Sequence, residues 1–381
     1  MLRAVQEQLT AAYPNAVLTM TPTTASGDQP FRKLVDAGFY PKASLYWKAR
    51  QWGGLAGLVP KKIRDMYGVV LDREVDVVVD AAGFAHSDQW GVASTRELAK
   101  SVRRWKRQGT KIILLPQAFG PFSDQRIRHY IRKVVDHVDL IISRDRTSYE
   151  HLTRVVGARP NIRQYPDFTN LISGVLPPGF NAEAHRVCLV PNHRMIEKAS
   201  EDVGTAYLPF MIKCAKYLVA KNAYPFILVH EGPKDRELAE HISQQSGGIP
   251  VLIVEDPLEI KGVLGASYAT IGSRFHGLVS ALSQGVPSIA TGWSHKYGEL
   301  FRDYEFLEGV VQVNGPEADI YALIERVIDE ESNALLRVGL LEKSEELKIR
   351  SRAMWEEVFG IISGAPNRVG REAAKGGLAI K

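Results

Sequence analysis

Cysteine is scarce in this chain, with only Cys188 and Cys214 among 381 residues. Neither sits in a metal-binding or redox spacing. That argues against a zinc module or a disulfide scaffold and points to a reducing compartment. No apolar run approaches the roughly 20 residues that span a bilayer. The opening MLRAVQEQLTAAY lacks a secretory apolar core, so a cytoplasmic location is expected. There is no internal repeat, no phosphate loop ending in Gly-Lys-Ser/Thr, no Gly-x-Ser-x-Gly elbow and no Gly-x-Gly-x-x-Gly. A P-loop enzyme, an α/β-hydrolase and a nicotinamide enzyme are all disfavoured.

What is present is ordinary in bulk and uneven in detail. The length suits two domains, each able to bury a core. The formal net charge is +5, but residues 1–180 hold 26 Lys and Arg against 16 Asp and Glu, and residues 181–381 hold 22 against 27. A basic half suggests an anionic partner, or a solubility field with none. Segment 42–64 interleaves Lys42, Lys48, Arg50, Lys61, Lys62 and Arg64 with Tyr46, Trp47 and Trp52. That mixture suits a membrane interface or a lipid-linked substrate. It equally suits a helix pair packing its tryptophans inward.

The most informative stretch is ATIGSRFHGLVSALSQGVPSIATGWSHKYGEL, residues 269–300. It reads as strand, turn, helix, Gly-Pro turn, strand and polar loop. Ser273 is placed to cap the helix, and Leu278, Ala281 and Leu282 recur at helical spacing. Arg274 and His276 fall at the helix N-terminus, which favours an anion. Lys296 follows the next strand, at the same carboxyl edge of the sheet. Parallel sheets bind ligands there, and phosphate or carboxylate is the natural guest. A structural histidine and ordinary helix punctuation are the plainer alternative.

Before this stretch the chain alternates strand and helix. VDVVVD leads into a small-residue turn at Ala81 to Gly83, with Asp88 beyond. KIILLPQAFGPF carries Gln117 and Gly120 at its carboxyl end, and Ser123 is placed to cap the following helix. LIISRDRTSYEHL sets Arg144 after a strand and Ser148 on the next helix; an ion pair with Asp145 or Asp139 is the structural alternative for Arg144. NIRQYPDFTNLI ends with Asp167 near its turn. GVLPPGFNAEAH reads as a linker. After it, HRVCLVPNHRM places Asn192 and Arg194 in a turn, and HEGPKDRELAEHI opens with His230 and Asp235. The expected domains are 1–175 and 185–362, with a disordered tail at 363–381.

Arg274, His276, Gly277, Ala281, Gly285, Pro287 and Lys296 resemble the C-terminal motif of the polysaccharide pyruvyl transferase family. PQAFGP resembles that family's Gly-Gln-x-x-Gly-Pro, and Arg144 with Ser148 resembles its Arg-Asp-x-x-Ser. The likeness covers about Val75 to Leu300. It implies an α/β fold of two Rossmann-like doubly wound domains facing a cleft, similar to GT-B glycosyltransferases. It implies transfer of a pyruvyl group from phosphoenolpyruvate to two sugar hydroxyls, forming a ketal, with no cofactor and no metal. His276 is then the general acid, Arg144 a catalytic cation, and Asp167 or Asp88 the base. Arg274, Lys296, Ser273, Gly277, Asn192, His230, Gly83 and Gln117 would bind substrate. The expected partners are phosphoenolpyruvate, a saccharide that is free or lipid-linked, and an anionic membrane face, without nucleic acid. Two rival readings are a nucleotide-sugar glycosyltransferase and a non-catalytic glycan-binding module. The family's opening strand and Asn-x-Gly-Asp turn are missing before the first helix, so a start upstream of Met1 is expected.

Overall fold

The computed structural model describes residues 1–22, 30–44, 46–47, 50–51 and 53–364. The chain divides into two compact units. One comprises Met1–Arg144, Ser148–Gln164 and the chain from Ala353; the other comprises Asp145–Thr147 and Tyr165–Arg352.

In the first unit, α1 (Leu2–Ala12) leads to β1 (Thr19–Met20), α2 (Pro30–Asp36) and β2 (Tyr40–Pro41), with β1 and β2 paired in parallel. β3 (Tyr46–Trp47) and β4 (Arg50–Gln51) form an antiparallel pair, and α3 (Lys61–Met66) follows. The main sheet is parallel, ordered β5 (Val77–Asp80), β6 (Lys111–Gln117), β7 (Leu140–Ser143) and β8 (Ile162–Gln164). α4 (Val92–Arg107), α5 (Gln125–Val135) and α6 (Arg146–Val156) connect these strands. Ile112, Ile113, Leu114 and Leu115 of β6 are all buried, which is why that strand is apolar without alternation. Asp124 rather than Ser123 caps α5, accepting from the N–H of Arg126 at 2.7 Å. Ser123 is drawn away because its N–H and hydroxyl both donate to Asp88.

The second unit runs β9 (Val187–Val190), α7 (Arg194–Lys198), α8 (Glu201–Ala220), β10 (Pro225–Val229), α9 (Gly232–Gln245), β11 (Val251–Ile253) and α10 (Pro257–Ala266). It continues through β12 (Ala269–Gly272), α11 (Phe275–Leu282), β13 (Ser288–Ala290), α12 (His295–Asp303), α13 (Glu317–Ile328) and α14 (Glu330–Ser363). The strand order is β11-β10-β9-β12-β13, all parallel. Val187 and Leu189 enter one apolar core while Cys188 and Val190 enter another, so both faces of the sheet are covered. Winding starts at β9, proceeds to β11, and then reverses to β12. Ligands of such sheets bind where the order reverses, beyond the carboxyl ends of the two central strands.

The division of the chain differs from the boundaries expected from sequence. Residues from Tyr165 pack with the second unit, where the ammonium of Lys261 donates to the carbonyl of Thr169 at 2.8 Å. A Cβ on Gly174 would meet the Gly262 backbone at 2.4 Å, so only glycine permits that approach. α14 is one continuous helix, but from Ala353 it belongs to the first unit. There Glu357 pairs with Arg163 at 2.9 Å. The tail from 365 to 381 lies outside the described residues.

Candidate active site

The reversal point of the second unit is a rigid turn built around Ser273. That residue is fully buried, and its hydroxyl lies 2.9 Å from the Tyr207 hydroxyl. Its carbonyl accepts from Asn192 Nδ2 at 2.7 Å and from the Tyr297 hydroxyl at 2.9 Å. The N–H of Asn192 donates to the Tyr207 oxygen, and its Oδ1 accepts from the N–H of Arg194. Asn192 therefore ties the end of β9 to the turn after β12 through Nδ2, while its N–H bonds Tyr207 and its Oδ1 holds its own turn. Ser273 is not the helix cap expected of it, because Tyr207 holds its hydroxyl. Arg274 occupies the cap position, and α11 opens at Phe275.

Arg274 is buried and engaged within the protein. Its Nε donates to Asp235 Oδ2 at 2.8 Å, its Nη2 lies 2.5 Å from the same oxygen, and its Nη1 pairs with Glu231. Asp235 is fully buried and also accepts the N–H of His193 at 3.0 Å. The Glu231 side chain is 59% exposed. The two carboxylates differ accordingly: Asp235 is a fixed partner, and Glu231 is one that an incoming anion can replace.

His276 sits in the first turn of α11 with its side chain 35% exposed, and its Nε2 is 3.6 Å from Asp167 Oδ2. The other oxygen of Asp167 accepts the N–H and hydroxyl of Thr169, at 3.0 and 2.5 Å. These bonds cap the short 3-10 turn Phe168–Leu171. Lys261, a buried cation and the single basic residue of α10, holds the same turn through Thr169. Burial pushes its ammonium down to about 8, while the charge of Asp167 pulls the other way. A carboxylate held at Oδ1 thus turns Oδ2 toward the imidazole.

Two further groups complete this edge. Lys296 lies in the first turn of α12, with its Nζ 5.0 to 5.3 Å from the ring centres of Phe275, Trp293 and Tyr297. His230 packs against α11; a Cβ on Gly277 would come within 3.4 Å of His230 Cδ2. Burial pushes His230 down to about 3, and the charges of Arg274 and His276 add to that. His230 is neutral, and its buried Nδ1 has no hydrogen-bond partner among the described residues.

The first unit gathers a separate set at the carboxyl edge of its sheet. Gly83, at φ +74°, accepts the N–H of Ala118 at 2.8 Å. Gln117 is fully buried, yet neither atom of its amide has a hydrogen-bond partner among the described residues, and the same holds for the hydroxyl of Ser87. Arg144 follows β7, buried, and its N–H donates to the Gln117 carbonyl at 3.0 Å. Asp139 is already held by Lys106 and Lys111, and Ser148 accepts the N–H of Phe119. His86 lies 3.2 Å from the Thr95 hydroxyl, and burial pushes it down to about 4. Asp88 accepts the N–H and hydroxyl of Ser123 and the N–H of Asp124. Partial burial raises its carboxyl, but the bonds from Ser123 outweigh that and lower it.

Sequence reasoning missed Glu231, Tyr207, Lys261 and Tyr297. Lys261 had a signal, as the single cation of PLEIKGVLGA. Glu231 had one too, immediately after His230. Neither tyrosine had any local signal.

The family model described as polysaccharide pyruvyl transferase matches residues 1–295. No curated protein matches the chain significantly. Among solved structures, a UDP-glucosyltransferase from Polygonum tinctorium, captured with 3,4-dichloroaniline, is 14% identical with a TM-score of 0.52, covering 95% of this chain and 96% of its own. Anabaena Alr3699/HepE in complex with UDP-glucose is 11% identical with a TM-score of 0.59, covering 94% of each chain. At such identities the likeness concerns the fold, which is that of GT-B glycosyltransferases built from Rossmann-like units.

Proposed function

The chain belongs to the polysaccharide pyruvyl transferase family, and we propose that it moves a pyruvyl group from phosphoenolpyruvate to two hydroxyls of a saccharide, forming a cyclic ketal and releasing phosphate. It is a transferase. The observation that carries the donor reading is the pair His276–Asp167, held 3.6 Å apart at the helix start where the strand order reverses.

Phosphoenolpyruvate brings a phosphate and a carboxylate. The first-turn N–H groups of α11 and the ammonium of Lys296 offer positive charge to one of them. Arg274 offers its Nη1 to the other when Glu231 swings away. Protonated His276 gives a proton to the methylene carbon, and the adjacent carbon becomes electrophilic. The nearby carboxylate of Asp167 stabilises the imidazolium that this step needs. One sugar hydroxyl adds to that carbon, and its proton returns to the imidazole. The carbon–oxygen bond to phosphate then breaks, the second hydroxyl adds, and its proton leaves with the phosphate. A cytoplasmic site of reaction is part of this proposal.

The test is incubation with phosphoenolpyruvate and candidate saccharides carrying neighbouring hydroxyls. Phosphate release together with a new ketal methyl signal in the proton spectrum is expected. A parallel incubation with UDP-sugars addresses glycosyl transfer. Residues 273–286 contain no Asp or Glu to hold a donor ribose, so no UDP release is expected. UDP release without phosphate release would overturn the reading.

A further inference from the structure

The mixed basic and aromatic segment 42–64 separates into two kinds of residue. Lys42 pairs inward with Asp72 at 2.6 Å. Arg64 is 5% exposed; its guanidinium grips both oxygens of Glu74 at 2.7 and 2.8 Å and donates to the carbonyls of Val59 and Val69. Lys48 and Trp52, and the side chains of Tyr46, Trp47 and Arg50, lie outside the described residues.

The other side of α3 is apolar and faces water. Ile63 and Met66 of α3, with Tyr67 at its C-cap, fall at i, i+3 and i+4 and so share one helical face, and exposed Val59 lies just before the helix. Met66 is 75% exposed and Tyr67 72%, and Leu58 on the preceding 3-10 turn Gly53–Leu58 reaches 83%. Leu55 and Ile63 are exposed as well. The ring of exposed Tyr40 lies against Gly68, next to Tyr67. The helix is therefore inside out: its arginine is the buried anchor and its hydrophobic residues are the outer surface. Surface helices of globular proteins bury their apolar side, and large exposed apolar side chains gathered in so short a stretch mark a contact with another body.

We propose that the face formed by Leu55, Leu58, Ile63, Met66 and Tyr67 docks the protein on an anionic lipid bilayer. The charge around it fits that occupant. Lys61 and Lys62 are exposed on the same helix, and Arg73 is exposed with its guanidinium beside Gly57. Asp65, paired with Lys61 at 3.0 Å, is the acidic member of the helix. Long cationic side chains at the margin of an apolar surface reach lipid headgroups while the hydrophobic residues enter the boundary beneath them. The wider first half carries the same sign of charge, 26 basic against 16 acidic residues over 1–180. Among the described residues no helix is long and apolar enough to cross a membrane, so the contact is peripheral.

Sedimentation of the full chain with vesicles tests this. Vesicles of phosphatidylcholine with phosphatidylglycerol should carry the protein down at low salt. High salt, or phosphatidylcholine alone, should leave most of it in solution. Changing Leu58, Ile63 and Met66 together to Ser should cut the bound fraction by about tenfold. These side chains are exposed, so the fold should persist, and unchanged circular dichroism checks it. Leu335→Ser, an exposed leucine of α14, should change nothing. Absence of vesicle binding, or full binding by the triple variant, overturns the proposal. So does a protein dimer in solution that the triple variant dissolves while vesicles bind neither form. The measurement needs no donor, so its failure leaves phosphoenolpyruvate binding and turnover to be judged separately.

Discussion

Asp167 divides its two oxygens between different tasks: Thr169 locks Oδ1, and Oδ2 faces His276 Nε2 at 3.6 Å. A carboxylate so placed favours the charged imidazole. Asp167→Asn should therefore move the loss of the imidazole proton to lower pH. The alkaline limb of the pH–rate profile should move down with it. His276→Gln should keep the fold and lower turnover by about 100-fold or more. NMR titration of the ring and the rate profile are the two measurements. An unmoved alkaline limb in the Asn variant would reduce Asp167 to a cap for the turn that follows it.

Glu231 occupies a position on Arg274 that an anionic donor would use. Replacing it with Gln removes both the competitor and its charge repulsion. Glu231→Gln should tighten phosphoenolpyruvate binding by about fivefold, roughly 1 kcal/mol and within the range of a single charged contact at a partly exposed site. Calorimetry reads this directly, and weaker binding would place the donor away from Arg274.

Gln117 is a buried amide with no hydrogen-bond partner among the described residues, and such a group costs about 1–3 kcal/mol. Gln117→Leu fills nearly the same volume without polar atoms. Its thermal stability should be equal or higher, as read from the melting midpoint. Loss of stability would show that the amide is satisfied in solution and is a structural residue.

Lys261 sets a pH dependence of stability whose sign follows from its burial. Its folded-state pKa, about 8, lies below its ordinary value of 10.5. Between those values the unfolded chain holds the extra proton, so stability rises with pH through that window. Below about 8 both states are charged and the full penalty of burial persists. Lys261→Met lacks this term. The difference in Tm, wild type minus variant, should grow as pH is raised from 8 to 10. A flat difference would mean that water reaches the amine.

The elements that could be read from the sequence were those governed by local pattern. Arg274 and His276 announced themselves through a strand–turn–helix with a small-residue signature, and the structure places both at the helix start. Their partners could not be read in the same way. Asp235 and Glu231 lie about forty residues before Arg274, and Asp167 more than a hundred before His276; only the sheet order brings them together. Arg274 consequently looked like an uncommitted cation when it is the centre of an internal ion pair. Its truncation would strand the buried Asp235, at a cost of about 3–5 kcal/mol. The Ser273 and Ser123 caps failed for a related reason. Each hydroxyl had a better partner far along the chain, Tyr207 in one case and Asp88 in the other. The inner and outer faces of α3 were not legible either, because the periodicity of apolar residues does not say which side meets water.

The Arg64–Glu74 anchor uncouples how α3 is attached from what it displays. An ordinary surface helix is glued down by the same apolar residues that define its pattern, so altering them loosens it. Here the grip is ionic and lies beneath, and the outward residues contribute little to holding the helix in place. The exterior of this segment can therefore exchange one apolar side chain for another without loosening its attachment, while the scaffold under it stays constant. Among related chains, positions 58, 63 and 66 should vary in size but stay apolar, with position 64 fixed.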